Sequence, residues 1–141
     1  MRIAIFSEVY WPMVSGVGVT LTRLTEALQA RGHVVRVYSA SYTLPTGARE
    51  REEVHRSASV PLFLYPDVQW AVPRFREIIR DAADFAPDVV HVATEFAMGI
   101  AGLKVARALA VPAVASAHTD YDRYAARYGV DRKSTRLNSS H

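Results

Sequence analysis

An α/β fold built on a doubly wound parallel sheet is predicted for this 141-residue chain. Two observations predict it. Candidate strands alternate with candidate helices along the chain, and the strands are unbroken apolar runs instead of alternating ones. A strand covered by helices on both faces has no solvated side, so it needs no polar positions.

Residues 2–6 form the first apolar strand. A loop over 7–16 follows, with Tyr10, Trp11, Pro12, Ser15 and Gly16. From Val17, the spacing of Leu21, Leu24 and Leu28 predicts a helix, stopped by Gly32. Residues 34–38 read as the second strand and 41–53, with Pro45, Gly47 and a charge cluster, as an exposed loop. A weaker strand is expected at 54–57, then an aromatic loop over 61–70 closed by Pro73, with Phe63, Tyr65 and Trp70 packing the loop. Phe75, Ile78, Ile79 and Ala82 mark a helix ending before Pro87. A buried strand at 88–92 comes next, then a helix through Met98, Ala101, Val105 and Ala108. A strand at 111–117 and the start of a helix at 121–128 complete the pattern. Right-handed crossovers make a Rossmann-like layer the default arrangement.

Half the residues are hydrophobic and 22% are charged, which fits a globular protein and argues against disorder. The length suits one domain. There is no cysteine, so thiolate and disulfide chemistry are excluded. No apolar run approaches the ~20 residues of a membrane helix. Ser7 and Glu8 interrupt the N-terminal apolar run too early for a signal peptide, so a cytoplasmic chain is expected. The net charge is +3, but residues 131–141 contribute +2 of it, leaving 14 basic and 13 acidic side chains in 1–130. That balance gives no basic surface for nucleic acid. Residues 131–141, DRKSTRLNSSH, match the in-frame translation of a common sequencing adapter throughout. They are expected to be an artefactual tail behind an incomplete domain at 1–130.

In such sheets ligands bind beyond the carboxyl ends of the strands, which directs attention to 7–18, 39–53, 93–99 and 117–124. Gly16-Val17-Gly18 opens a helix and suits a phosphate. It is no nicotinamide fingerprint, because Leu21 stands where a third glycine belongs and no acid closes the second strand. On the glycines alone, a flexible turn is an equal alternative. His118 follows a strand and is placed to act as an acid, a base or a ligand contact, or to bond a neighbouring backbone group. His91 reads as a satisfied strand residue, His33 as a helix-end cap and His55 as part of an exposed basic stretch. Glu95 could bind hydroxyls or a base edge, or cap the following helix, the favoured reading, and Arg123 and Arg127 read as solvated unless an acceptor carries a phosphate. No spacing suggests a metal site.

Three ordered blocks, MRIAIFSEVYWPMVSGVGVTLTRLTEALQARGHVVRVYS, PDVVHVATEFAMG and VPAVASAHTDYDRYAARYG, together resemble the N-terminal domain of family 4 glycosyltransferases. The likeness covers nearly all of 1–130. It is to the bacterial retaining enzymes of GT-B fold, among them phosphatidylinositol mannosyltransferases and related glycolipid glycosyltransferases.

The resemblance implies the N-terminal half of a two-domain hexosyltransferase with its active site in the interdomain cleft. Gly16 matches the second glycine of a Gly-Gly loop against the donor diphosphate. Ser15 stands at the first position, and Gly18 completes the donor-binding set. His118 matches the histidine near the transferred sugar and is the implied catalytic residue. Tyr10, Glu95, Thr119 and Arg123 are the implied acceptor contacts, although ATEFAMG departs from the usual Gly- and Pro-containing loop. The implied partners are a nucleotide-sugar and a lipid or small-molecule hydroxyl acceptor, with no metal or other cofactor. Peripheral contact with the inner face of the plasma membrane follows by analogy with lipid-directed members. The donor-holding basic residues and paired glutamates belong to the other domain, so the fragment alone is expected to be inactive. A stand-alone α/β ligand-binding module and a GT-B sugar-nucleotide epimerase are the alternatives.

Overall fold

The computed structural model describes residues 1–13, 16–62, 65–94 and 96–116. Its elements in order are β1 (Arg2–Phe6), α1 (Gly16–Ala30), β2 (Val34–Ala40), β3 (Val54–Ser57), β4 (Ser59–Leu62), β5 (Tyr65–Ala71), α2 (Phe75–Phe85), β6 (Val89–Val92), α3 (Ala97–Leu109) and β7 (Ala113–Ala115). Five strands form one sheet in the order β3-β2-β1-β6-β7, and β4 pairs with β5 separately. Every pairing in the larger sheet is parallel, with Ile3 opposite Val35 and Val89, and Phe6 opposite Tyr38 and Val92.

The two-residue alternation of a strand divides the core. Ile3 and Ile5 of β1 face Leu21, with Val35 and Val37 of β2, on the α1 side. Ala4 and Phe6 face the opposite layer, which includes Ile78 and Ala82 of α2 and Met98, Ala101 and Val105 of α3. Both faces of β1 are therefore covered, which is why its run is apolar throughout. Arg36 of β2 pairs with both carboxylate oxygens of Asp81 on α2, at 3.0 and 2.9 Å, and the Tyr38 hydroxyl donates to the same carboxylate at 2.6 Å. Burial works to raise the Asp81 pKa, but these hydrogen bonds outweigh it and hold the carboxyl below its usual value.

α3 lies unusually close to the sheet because Gly102 presents no side chain. A Cβ there would stand 2.9 Å from Cγ of Phe6 and 3.0 Å from a Val92 methyl. Gly32, at φ 88°, ends α1 in the left-handed conformation expected of a helix-stopping glycine.

The stretch 61–70, expected as an aromatic loop, instead contributes to an antiparallel hairpin of β4 and β5. Pro61 sits opposite Gln69 beside a register irregularity, where a strand tolerates a missing N–H. His55 also departs from expectation. It lies on β3, half-buried, with its ring tilted 5.3 Å from that of Tyr38. The helix expected at 121–128 and the tail 131–141 lie outside the described residues.

Candidate functional site at the carboxyl edge of the sheet

All five strands of the parallel sheet point their carboxyl ends to one edge. β1 feeds α1 on one face, and its neighbour β6 feeds α3 on the other. The chain thus departs in opposite directions between β1 and β6, the topological switch point at which open α/β sheets receive ligands.

Two helices begin there, and they differ. The first turn of α3 is already occupied. The Glu8 carboxylate accepts the Met98 N–H at 2.7 Å through one oxygen and the Ala71 N–H at 3.0 Å through the other. Its own N–H donates to Thr94 Oγ1 at 2.9 Å, and its carbonyl accepts the Tyr42 hydroxyl at 2.8 Å. Glu8 is 2% exposed. A carboxylate aimed at a helix N-terminus neutralises the positive end of the dipole, so α3 has no free capacity for an external anion at Met98. The cap expected of Glu95 lies outside the described residues. The N-cap position itself is Phe96, without a side-chain cap bond.

The start of α1 has a different composition. Its first turn holds no acidic residue. Gly16 is exposed, and a Cβ added to it would meet nothing within 4 Å. The first N–H groups of a helix lack intrahelical partners, and the first turn of α1 supplies no carboxylate of its own. Gly18, one half-turn on, is buried, and its carbonyl accepts the Thr22 hydroxyl at 2.8 Å. The predicted donor-side pair therefore divides. Gly16 lies on the open surface and Gly18 within the packed face of the helix.

Tyr10, predicted as an acceptor contact, requires correction. Its ring is fully buried in the α1-side core, and its hydroxyl donates to Glu53 Oε1 at 3.1 Å. Burial pushes the phenol up to about 12. As placed, the ring anchors the loop and offers no surface to an acceptor. Ser15, Glu95, His118, Thr119 and Arg123 lie outside the described residues. His91 bonds the Ser116 hydroxyl through Nε2, as a satisfied strand residue should. His33 Nδ1 lies 2.9 Å from the Met1 amino group.

Among the described residues no three His, Asp or Glu side chains converge on a metal position. Among the same residues no helix is long and apolar enough to cross a membrane.

Glu8 was not singled out from sequence, and its role is testable. Removing its carboxylate leaves two buried N–H groups without acceptors, each worth ~1–3 kcal/mol. Glu8→Ala is therefore expected to lower unfolding free energy by about 2 kcal/mol, read by chemical denaturation. Burial raises the Glu8 pKa, partly offset by the Met98 and Ala71 N–H groups. A carboxyl raised in the folded state contributes most below its unfolded pKa, and that contribution falls as pH rises through the folded value. Glu8→Gln should abolish that pH dependence and destabilise less than alanine. Identical pH profiles for wild type and Glu8→Gln between about pH 4 and pH 7 would contradict this.

The parallel sheet and its switch point make this an α/β protein of the doubly wound class, in which ligands bind at that edge. The family comparison is more specific. The model of Glycosyltransferase Family 4 matches residues 14–140, and the chain belongs to that family. It is 32% identical over 124 residues to the alpha-monoglucosyldiacylglycerol synthase of Streptococcus pneumoniae, covering 88% of this chain and 28% of that protein. It is 36% identical over 136 residues to the GDP-mannose-dependent alpha-mannosyltransferase of Mycobacterium tuberculosis, covering 92% and 35%. Identity is also 36% over 136 residues to the alpha-monoglucosyldiacylglycerol synthase of Acholeplasma laidlawii, covering 88% and 31%. The chain spans about a third of the length of these curated relatives.

Proposed function

We propose that this chain is the acceptor-side, N-terminal part of a retaining glycosyltransferase. The full-length protein would move a sugar from a nucleotide-sugar to a lipid or other hydroxyl acceptor. The observation that carries this reading is the start of α1, with an exposed Gly16 and no acid in its first turn, at the β1/β6 switch point in a chain of this family. The relatives' names support the finer points, since they specify a GDP-mannose donor in one case, a diacylglycerol lipid in two, and alpha linkages in all three.

In the reaction, the bond between the anomeric carbon and the diphosphate breaks, and a bond from the acceptor oxygen to that carbon forms. The acceptor proton leaves with the diphosphate. Negative charge grows on the leaving group, and the N–H groups at Gly16 with the α1 dipole are oriented to stabilise it without reorganising. His118, one residue of the family block, stands in this proposal beside the transferred sugar, orienting a hydroxyl there. Ser15 would share the donor loop, and Glu95, Thr119 and Arg123 the acceptor side. The enzyme would work in the cytoplasm, with peripheral contact at the inner face of the membrane.

Nucleotide-sugar turnover by the full-length protein, with and without a hydroxyl-bearing lipid, tests the reading. His118→Ala is expected to lower turnover about a hundredfold or more while nucleotide affinity stays within about twofold. Unchanged turnover would remove His118 from the mechanism. Release of free sugar unaffected by acceptor would contradict transfer.

A further inference from the structure

The side chain of Glu8 joins two elements that lie far apart in the chain. One oxygen accepts the Met98 N–H at the start of α3, and the other accepts the Ala71 N–H at the end of β5. Both N–H groups lie within reach of a single carboxylate, so the end of β5 is fixed beside the first turn of α3. Glu8 itself stands two residues beyond the end of β1, at the carboxyl edge of the sheet.

Each of the two elements turns an apolar side chain outward next to its anchored residue. Ala71 is buried in the core, and strand alternation sends its neighbour Val72 the other way, where it is 52% exposed. The Val72 N–H donates to the Ala58 carbonyl at 2.7 Å, which holds the residue in its extended position. Met98 is fully buried, whereas Phe96, at the N-cap position of α3, is 44% exposed. A large apolar side chain left in water forgoes free energy that burial against hydrocarbon recovers. A sugar or polyol offers no such surface at this edge; the acyl chains of a lipid do.

We propose that Val72 and Phe96 form an apolar rim for the acyl part of the acceptor, and that Glu8 is the positioning residue holding its two sides together. The proposal rests on the acceptor-side reading of this chain and makes the acceptor a lipid. Glu8 touches no substrate and acts through the backbone at 71 and 98. Its role needs both oxygens. A glutamine keeps one acceptor and turns a donor toward the other N–H, which releases one side of the rim. An alanine releases both.

The test is calorimetric binding to the full-length protein carrying this chain. The probes are dihexanoylglycerol, and glycerol, which carries hydroxyls without acyl chains. The wild type is expected to bind dihexanoylglycerol about tenfold more tightly than glycerol, or better. Val72→Ser and Phe96→Ser should each weaken dihexanoylglycerol binding about fivefold. Glu8→Ala should weaken it about tenfold and Glu8→Gln less, with GDP and UDP affinities in the same samples within about twofold of wild type. A wild type that binds both probes equally, or serine variants that bind as wild type does, would overturn the rim. Serine variants that weaken binding while Glu8→Gln does not would overturn the positioning role. Should Glu8→Ala not fold, Glu8→Gln decides, because it keeps a hydrogen-bonding side chain of the same size. Vesicles of phosphatidylcholine alone form a further arm. Serine variants that lose vesicle binding and keep dihexanoylglycerol binding would make the two side chains a membrane contact and overturn the acceptor role. Failure of the wider reading looks different. A wild type that binds neither GDP nor UDP and turns over no nucleotide-sugar removes the transferase reading, and the rim with it. Intact nucleotide-sugar turnover without dihexanoylglycerol binding removes the rim alone.

Discussion

Alanine in place of Gly99 is expected to destabilise the protein by about 3 kcal/mol net. At an ordinary helix position the same change stabilises by ~1 kcal/mol, because glycine is the poorer helix former. Here the sign reverses. The added Cβ would fall on the carbonyl oxygen of Thr94, 3.2 Å from its carbonyl carbon and 3.3 Å from a Val92 methyl. A backbone carbonyl has no rotamer by which to escape. The loop leaving β6 would have to shift, and Thr94 in that loop also accepts the Glu8 N–H. The Glu8–Met98 bond lies one residue from the substitution, so the damage should spread to the start of α3. Chemical denaturation checks the magnitude, and a Gly99→Ala variant as stable as wild type would contradict the close packing of this turn.

The parts of the fold legible in the sequence are those with local causes. β1, β6 and the three helices announce themselves because strands covered on both faces are apolar throughout and helices repeat every 3.6 residues. The hairpin of β4 and β5 did not, because Pro61 reads as a break wherever it is not known to sit beside an irregular pairing. The helix opening at Gly16 was legible from its glycines. Glu8 was not, since a buried carboxylate and a solvated one are the same letter. Its acceptors' partners, the N–H groups of Ala71 and Met98, are 63 and 90 residues away and leave no side-chain signature. An acid two residues beyond an apolar strand was the one signal available. Tyr10 misled for the reverse reason. An aromatic residue in a loop near a candidate site looks exposed, and only the tertiary fold brings Glu53 to its hydroxyl.

The central claim is that the start of α1 faces the donor diphosphate, and Gly16→Asp tests it through two effects of opposite sign. A carboxylate in a first turn that has none should favour the helix dipole by ~0.3–1 kcal/mol. Space for the side chain is open, because a Cβ at 16 meets nothing within 4 Å. The fold should therefore be as stable as wild type or slightly more so. The same carboxylate would take the N–H groups and repel the ligand. Loss of one or two charge-assisted hydrogen bonds, each worth ~1.5–3 kcal/mol, corresponds to roughly a hundredfold weaker binding. The decisive measurement is nucleotide-sugar affinity and thermal stability of full-length Gly16→Asp, side by side with wild type. The account predicts retained or raised stability with affinity down about a hundredfold; retained stability with unchanged affinity would contradict it.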